Sequence, residues 1–234
     1  MSADAAKINA AMAALDYVRE GMTVGLGTGS TAAHFVRLLG ERVRQGLVVL
    51  GVPTSEATRS LAEAAGVPLV DIERVTRIHV AVDGADEIDP NFNLIKGGGG
   101  ALLREKIIAA AADHFVVIGD DTKPVPALGA FPLPIEVTPF GFSLTARRIF
   151  EALRETGCRG HDVTLRAGGE ATLPFITDNG NIILDAAAQM IPNPHALAAA
   201  LKRIPGVVEH GLFLDMARTV IIGREDDALI EEKE

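Results

Sequence analysis

Three short segments of this sequence hold residue types that can act together on a small, anionic molecule. Residues 25–32 read GLGTGSTA, residues 80–90 read VAVDGADEIDP, and residues 96–106 read KGGGGALLREK. A glycine-rich turn between a strand and a helix lets backbone N–H groups face an anion at the helix N-terminus. The first segment fits that description, with hydroxyls from Thr28, Ser30 and Thr31 beside Gly29. It is not a dinucleotide fingerprint, which needs a third glycine where Ser30 stands, nor a triphosphate loop, which needs a lysine before the Ser/Thr. Two readings stay open for it: a phosphate-sized nest, or a tight turn with Ser30 as the helix cap.

The second segment ends an apolar run in four acids within seven residues, Asp83, Asp86, Glu87 and Asp89. Such acids ligate a metal, move protons, accept from sugar hydroxyls, or simply form an acidic turn. The calcium-loop spacing is absent. The third segment places Lys96 before four glycines and Glu105 about one turn inside a helix. Helical spacing puts Leu102, Glu105 and Ala109 on one stripe and Leu103, Ile107 and Ala110 on another, so Glu105 need not face solvent. Glycine is costly to order, and four together before a helix suit a ligand pressed against backbone.

The elements that must position these loops alternate. MTVGLG, LVVLGVP, RIHVAVDGA and HFVVIGD read as strands, with helical runs between them, and this pattern predicts a parallel sheet covered by helices. An N-terminal helix is expected from Ser2 or Asp4 to Gly21. After Asp120 a proline-rich passage marks a change of domain. The expectation is an α/β protein: a Rossmann-like parallel-sheet domain over residues 1–128, joined again by 207–234, and a smaller α+β domain over 129–206. Within the latter, Asp178-Asn179-Gly180-Asn181 is a hairpin signal.

Composition narrows the classes further. Net charge is −9, from 31 acids against 22 bases, with no basic stripe, which argues against nucleic acid as a partner. An anionic ligand would need a local positive site against that field. No apolar run approaches membrane-spanning length, so no membrane partner is expected. One cysteine, Cys158, precludes an internal disulfide and suits a reducing, cytoplasmic setting. The histidines lack metal-ligand spacing, and no metal site is expected.

Taken in order and spacing, GLGTGSTA, DGADEID, KGGGGALLREK and DDTKPV resemble the ribose-5-phosphate isomerase family of the A type, along nearly the whole chain. The resemblance implies interconversion of ribose 5-phosphate and ribulose 5-phosphate through a cis-enediol, in the non-oxidative branch of the pentose phosphate pathway, without metal or organic cofactor. It implies Glu105 as the base that moves the proton, with Lys96 and the N–H groups of Gly97, Gly98 and Gly99 stabilising the enediolate. Asp83 would assist ring opening, and Asp86 would bind hydroxyls, with Gly84 and Ala85 lining the sugar. Phosphate would fall to the loop of Thr28, Gly29, Ser30 and Thr31, helped by Lys7 and Lys123. A homodimer or homotetramer is expected. Two rivals remain: a sugar-phosphate sensor, which need not keep Lys96 and Glu105 together, and a coenzyme-A transferase relative using a glutamate as acyl nucleophile.

Overall fold

The structure is a computed structural model and describes residues 3–169 and 173–233. In chain order, its first half holds α1 (Ala3–Ala14), β1 (Thr23–Leu26), α2 (Ser30–Arg44), β2 (Leu50–Pro53), α3 (Glu56–Ala65), β3 (Ile78–Gly84), β4 (Glu87–Ile88), β5 (Leu94–Ile95), α4 (Leu102–Ala111) and β6 (Ala112–Asp120). The second half holds β7 (Leu133–Val137), α5 (Phe142–Glu155), β8 (Asp162–Leu165), β9 (Ile182–Ala187), α6 (Pro194–Lys202), β10 (Val207–His210), β11 (Leu212–Phe213), β12 (Thr219–Gly223) and β13 (Ala228–Glu232). These form two compact units. The first contains residues 1–85, 104–123 and 216–234, and the second contains 86–103 and 124–215.

The first unit carries a six-stranded sheet in the order β13-β12-β6-β3-β1-β2. All neighbours are parallel except the edge strand β13, which turns back antiparallel on β12. Alternation along the strands makes the core. Val24 and Leu26, Val80 and Val82, Val116 and Ile118 point to one face, where they pack with Ala10, Phe35, Leu39 and Ala62 from the covering helices. The opposite positions on β1 and β3 are small: Gly25 lies in register with Ala81. A Cβ on Gly25 would run into Ile108 of α4, so the smallness of this face is what lets α4 approach. Local signals match the elements they begin and end. Ser55 caps α3 by accepting from the Thr58 N–H at 3.0 Å, and Gly66 closes it in the left-handed conformation.

The second unit pairs a four-stranded antiparallel sheet, β10-β7-β9-β8, with a three-stranded one, β11-β5-β4. Ile95 and Leu212 from the small sheet share one core with Leu133, Ile135 and Leu184 of the larger sheet and with Ile149 and Leu197 from α5 and α6. That shared core explains why residues 86–103 cluster here and not with the parallel sheet. The turn signal at 178–181 forms: Thr177 N–H donates to Asn181 C=O at 2.9 Å, and Gly180 takes a positive φ. Beneath it the fully buried Glu136 accepts, through one oxygen, from Thr177, Asn179 and Asn181 at 2.9–3.1 Å.

Two expectations change. The N-terminal α-helix stops at Ala14 and tightens into a 3₁₀ turn over Leu15–Tyr17, because Val18 is already extended on its way to β1. Of the strands after residue 206, only β12 and β13 rejoin the parallel sheet. β10 pairs with β7, and β11 pairs with β5, both inside the second unit.

Candidate active site

The parallel sheet runs from β1 outward to β2, then crosses back over β1 to β3, β6 and β12. The reversal lies between β1 and β3, and ligands of open α/β sheets bind outside the carboxyl ends of the strands at such a point. Gly27 follows β1 there, and Asp83 lies at the same edge near the end of β3. Asp83 is 3 % exposed. Its Oδ1 accepts from the Gly84 N–H at 2.7 Å and from the Thr28 N–H at 3.1 Å. A Cβ on Gly27 would fall on that carboxylate, so residue 27 is glycine to make room for Asp83.

α4 brings in the other acid. Ile108 sits over Gly25 and Ala81, and Glu105, one turn earlier, reaches the carboxyl edge. Glu105 is 4 % exposed and lines one small space with Gly27, Thr54 and Asp83. The inward stripe is thus Leu102, Glu105 and Ala109, while Ile107 is 52 % exposed. Just before Glu105, the Arg104 guanidinium donates to Glu56 Oε1 at 2.8 Å and holds that carboxyl below its usual range.

The first glycine loop enters α2 through Gly29, with φ 113° and ψ 178°, and no side chain caps the helix. Helix geometry leaves the N–H groups of Ser30, Thr31 and Ala32 without intrahelical acceptors, since the first such bond runs from Ala33 N–H to Gly29 C=O. Ser30 is exposed and Thr31 buried. Thr28, expected in the phosphate loop, turns its hydroxyl to the start of α3. Its hydroxyl is surrounded by those of Thr54, Ser55 and Thr58 at 2.8–3.1 Å, and Thr54 and Thr58 donate onward to the carbonyls of Leu26 and Gly27. This cluster ties the loop to the start of α3. Lys123 follows β6 at the same sheet edge, in a turn where its N–H donates to Asp120 C=O at 3.1 Å. Lys7 lies on α1 between Ala6 and Ala10, which approach Gly223 at the carboxyl end of β12. Both lysines are half-buried.

In the second unit, Lys96 follows β5 and is 2 % exposed, with Nζ 5.4 Å from the centre of the Phe213 ring. A turn closes from Gly97 to Gly100, whose N–H donates to Gly97 C=O at 2.9 Å. Gly97 and Gly100 both have positive φ, and Gly98 and Gly99 are exposed. The Gly98 N–H donates to Asp86 Oδ2 at 2.8 Å. The remaining acids of the second motif are structural. Glu87 accepts from Gly129 N–H at 2.7 Å and Phe131 N–H at 2.5 Å, and Asp89 accepts from the N–H groups of Asn91 and Asn93 at 2.8 Å each. Among the described residues there is no group of three or more His, Cys, Asp or Glu able to hold a metal ion.

The sequence matches the family described as ribose 5-phosphate isomerase A (phosphoriboisomerase A) over residues 50–227. The chain belongs to that family. It interconverts ribose 5-phosphate and ribulose 5-phosphate in the pentose phosphate pathway. A relative from Maricaulis maris, named ribose-5-phosphate isomerase A, is 55 % identical across 99 % of this chain and 100 % of its own length. One from Nitrobacter hamburgensis with the same name is 55 % identical across 100 % of both. A solved D-ribose-5-phosphate isomerase in complex with phospho-erythronic acid superposes with a TM-score of 0.92 at 42 % identity, covering 100 % of both chains. The ribose 5-phosphate isomerase A of Methanocaldococcus jannaschii gives 0.90 at 40 % identity, covering 99 % of this chain and 100 % of its own.

Within the family fold, the structure gathers Asp83, Gly84, Thr28 and Glu105 in the first unit, with Gly29, Ser30, Thr31, Lys7 and Lys123 at the same sheet edge. It gathers Asp86, Lys96, Gly97, Gly98 and Gly99 in the second, and Ala85 is half-buried at the end of the first. Sequence reasoning missed Thr54 and Thr58, whose only signal is the hydroxyl-rich start of TSEATRS. It also missed Arg166 and Asp185. Arg166 Nη1 donates to the carbonyls of Gly97 at 2.8 Å and Gly98 at 3.0 Å, and no spacing in the chain foretells that contact.

Proposed function

We propose that this chain interconverts D-ribose 5-phosphate and D-ribulose 5-phosphate through a cis-enediol, with Glu105 as the base. The observation that carries this reading is a carboxylate on a helix, 4 % exposed, turned inward beside Asp83 at the reversal point of the parallel sheet. Charged helix residues are rarely buried without a task. Glu105 takes the proton from C2 of the open aldose and returns it to C1 of the enediol, while a proton passes between O1 and O2. The charge that develops on oxygen needs fixed donors. Lys96 and the exposed turn at Gly98 and Gly99 supply them in this reading, with the Gly99 N–H carrying more of the load because the Gly98 N–H is already on Asp86.

Asp83, held by two N–H groups, assists transfer of the proton to the ring oxygen, and Asp86 binds hydroxyls. The capless N-terminus of α2, with Ser30 and Thr31, holds the phosphate dianion with help from Lys7 and Lys123. The chemistry needs neither metal nor organic cofactor. We further infer a homo-oligomer, dimer or tetramer, in the cytoplasm, and sedimentation equilibrium checks the assembly. The test of the main reading is direct: purified protein mixed with ribose 5-phosphate should form a ketopentose phosphate, and absence of ketose under conditions where the protein is folded overturns it.

A further inference from the structure

The glycine turn of the second unit is held from one side by an ion pair whose geometry fixes where its peptide groups face. Arg166 extends from the end of β8, with its own N–H on Ile183 C=O at 2.9 Å and its C=O receiving the Phe175 N–H at 2.9 Å. Its guanidinium makes a two-pronged contact with Asp185 on β9, Nε to Oδ2 at 2.9 Å and Nη2 to Oδ1 at 2.5 Å. The Arg166 and Asp185 side chains are only 14 % and 21 % exposed. The remaining prong, Nη1, spans two successive carbonyls, Gly97 at 2.8 Å and Gly98 at 3.0 Å. A guanidinium is a planar fork that can grip a carboxylate and still present donors elsewhere, which a lysine ammonium cannot do in one geometry.

A trans peptide is planar, so its N–H points opposite to its C=O. With the Gly97 carbonyl drawn to Arg166, the N–H of the same peptide, on Gly98, faces the other way, and there it meets Asp86 at 2.8 Å. With the Gly98 carbonyl drawn to the same nitrogen, the Gly99 N–H also faces away from Arg166. Glycine peptides flip easily, so four in succession would otherwise sample both senses. We propose that Arg166, anchored by Asp185, is a positioning residue that fixes the peptide orientation of Gly98 and Gly99 and so aims the Gly99 N–H at the developing enediolate oxygen. This rests on the reading of the glycine turn as the enediolate-stabilising donor group. Arg166 itself touches no substrate and acts through the backbone it holds.

The test compares Arg166→Ala, Arg166→Lys and Asp185→Asn with Glu105→Gln, measuring kcat and KM for ribose 5-phosphate separately. Loss of an oxyanion donor costs on the order of 10²–10³ in kcat, and loss of its orientation should cost somewhat less. Arg166→Ala should lower kcat roughly ten- to hundredfold with KM within about threefold. Millimolar methylguanidinium should restore part of the lost kcat, whereas methylammonium at the same concentration should not. Arg166→Lys should lose roughly tenfold in kcat, and it remains the deciding variant if the alanine protein does not fold. Asp185→Asn should show a smaller loss in the same parameter.

Unchanged kcat in Arg166→Lys and Arg166→Ala, with Glu105→Gln inactive, overturns this inference alone. A fall in kcat that follows the loss of thermal stability and ignores methylguanidinium also overturns it, since it marks a general structural role. Near-normal turnover in Glu105→Gln instead overturns the parent reading.

Discussion

The two glycine-rich turns, at residues 25–29 and 97–100, read alike in the sequence and are built on opposite principles. In the first, glycines give way to the protein's own side chains. Gly25 admits Ile108 and Gly27 admits the Asp83 carboxylate, and only Gly29 has open space where a Cβ would stand. In the second, Gly97 is crowded by Leu102 and Pro134, Gly98 by the Asp86 carboxylate and Phe131, and Gly100 by Phe175, while the backbones of Gly98 and Gly99 remain exposed. One turn is shaped so that a carboxylate can be buried against it. The other is clamped so that its exposed peptides keep one orientation. Counting glycines cannot tell these apart, because the difference lies in what approaches each Cα.

The largest expected effect tests the acid that lines one space with Gly27 and Asp83. Glu105→Gln keeps the shape and removes the proposed proton acceptor, and loss of a general base costs about 10²–10⁴-fold in rate. Turnover should fall by that factor while affinity for ribose 5-phosphate changes little. A rate within a few fold of the parent protein would mean that the space beside Gly27 and Asp83 does not house the base.

Within the first turn, two glycines are required for two reasons. Gly27→Ala drives a methyl into Asp83, an overpacking that costs about 3 kcal/mol at the upper end of such changes and should also disable the enzyme. Gly29→Ala meets nothing within 4 Å, yet φ 113° and ψ 178° belong to a region open almost only to glycine, which costs about 1–3 kcal/mol. Urea unfolding should rank Gly27→Ala as the more damaging, and equal midpoints would undo the distinction between space and backbone strain. The phosphate end has its own signature. Thr31→Ala, removing the proposed hydrogen bond to the phosphate, of a kind worth about 1.5–3 kcal/mol, should lower kcat/KM for ribose 5-phosphate roughly ten- to hundredfold. Turnover of unphosphorylated ribose should hardly change, and an equal loss on both sugars would make the loop purely structural.

Much of this was legible in the sequence. The alternation of strands and alanine-rich helices gave the parallel sheet, and the helical spacing of Leu102, Glu105 and Ala109 gave the inward stripe of α4. What escaped has a common physical cause, in partners distant along the chain. Residues 86–103 join the second unit because Ile95 packs with Leu133 and Leu212, contacts between segments 38 or more residues apart. Of the four acids in DGADEID, periodicity could not say that Glu87 and Asp89 would serve N–H groups of Gly129, Phe131, Asn91 and Asn93. The same acids predict an outcome with metals. Asp83, Glu87 and Asp89 are each satisfied by backbone donors, so exhaustive chelation should leave turnover unchanged, and activity that vanishes in chelator and returns with one divalent ion would contradict that.

The smallest effect concerns a residue away from both turns. Cys158 is 5 % exposed in the core of the second unit, and burial pushes its thiol above the usual range, outweighing the opposing hydrogen bond from Thr156. The folded state therefore keeps a proton that the unfolded chain gives up near pH 8.5. The stability this contributes is whole below that pH and drains away as pH rises through the higher folded value, because there the unfolded state binds fewer protons. Urea midpoints for the parent protein should thus fall more steeply above about pH 8.5 than those of Cys158→Ala, after both are referred to their values at pH 7. Turnover should be identical in the two, since neither turn touches this thiol. If the two proteins lose stability in parallel as pH rises, the buried thiol is not what titrates. If Cys158→Ala lowers turnover by more than about twofold at equal folded fraction, the working apparatus extends beyond the two turns compared here.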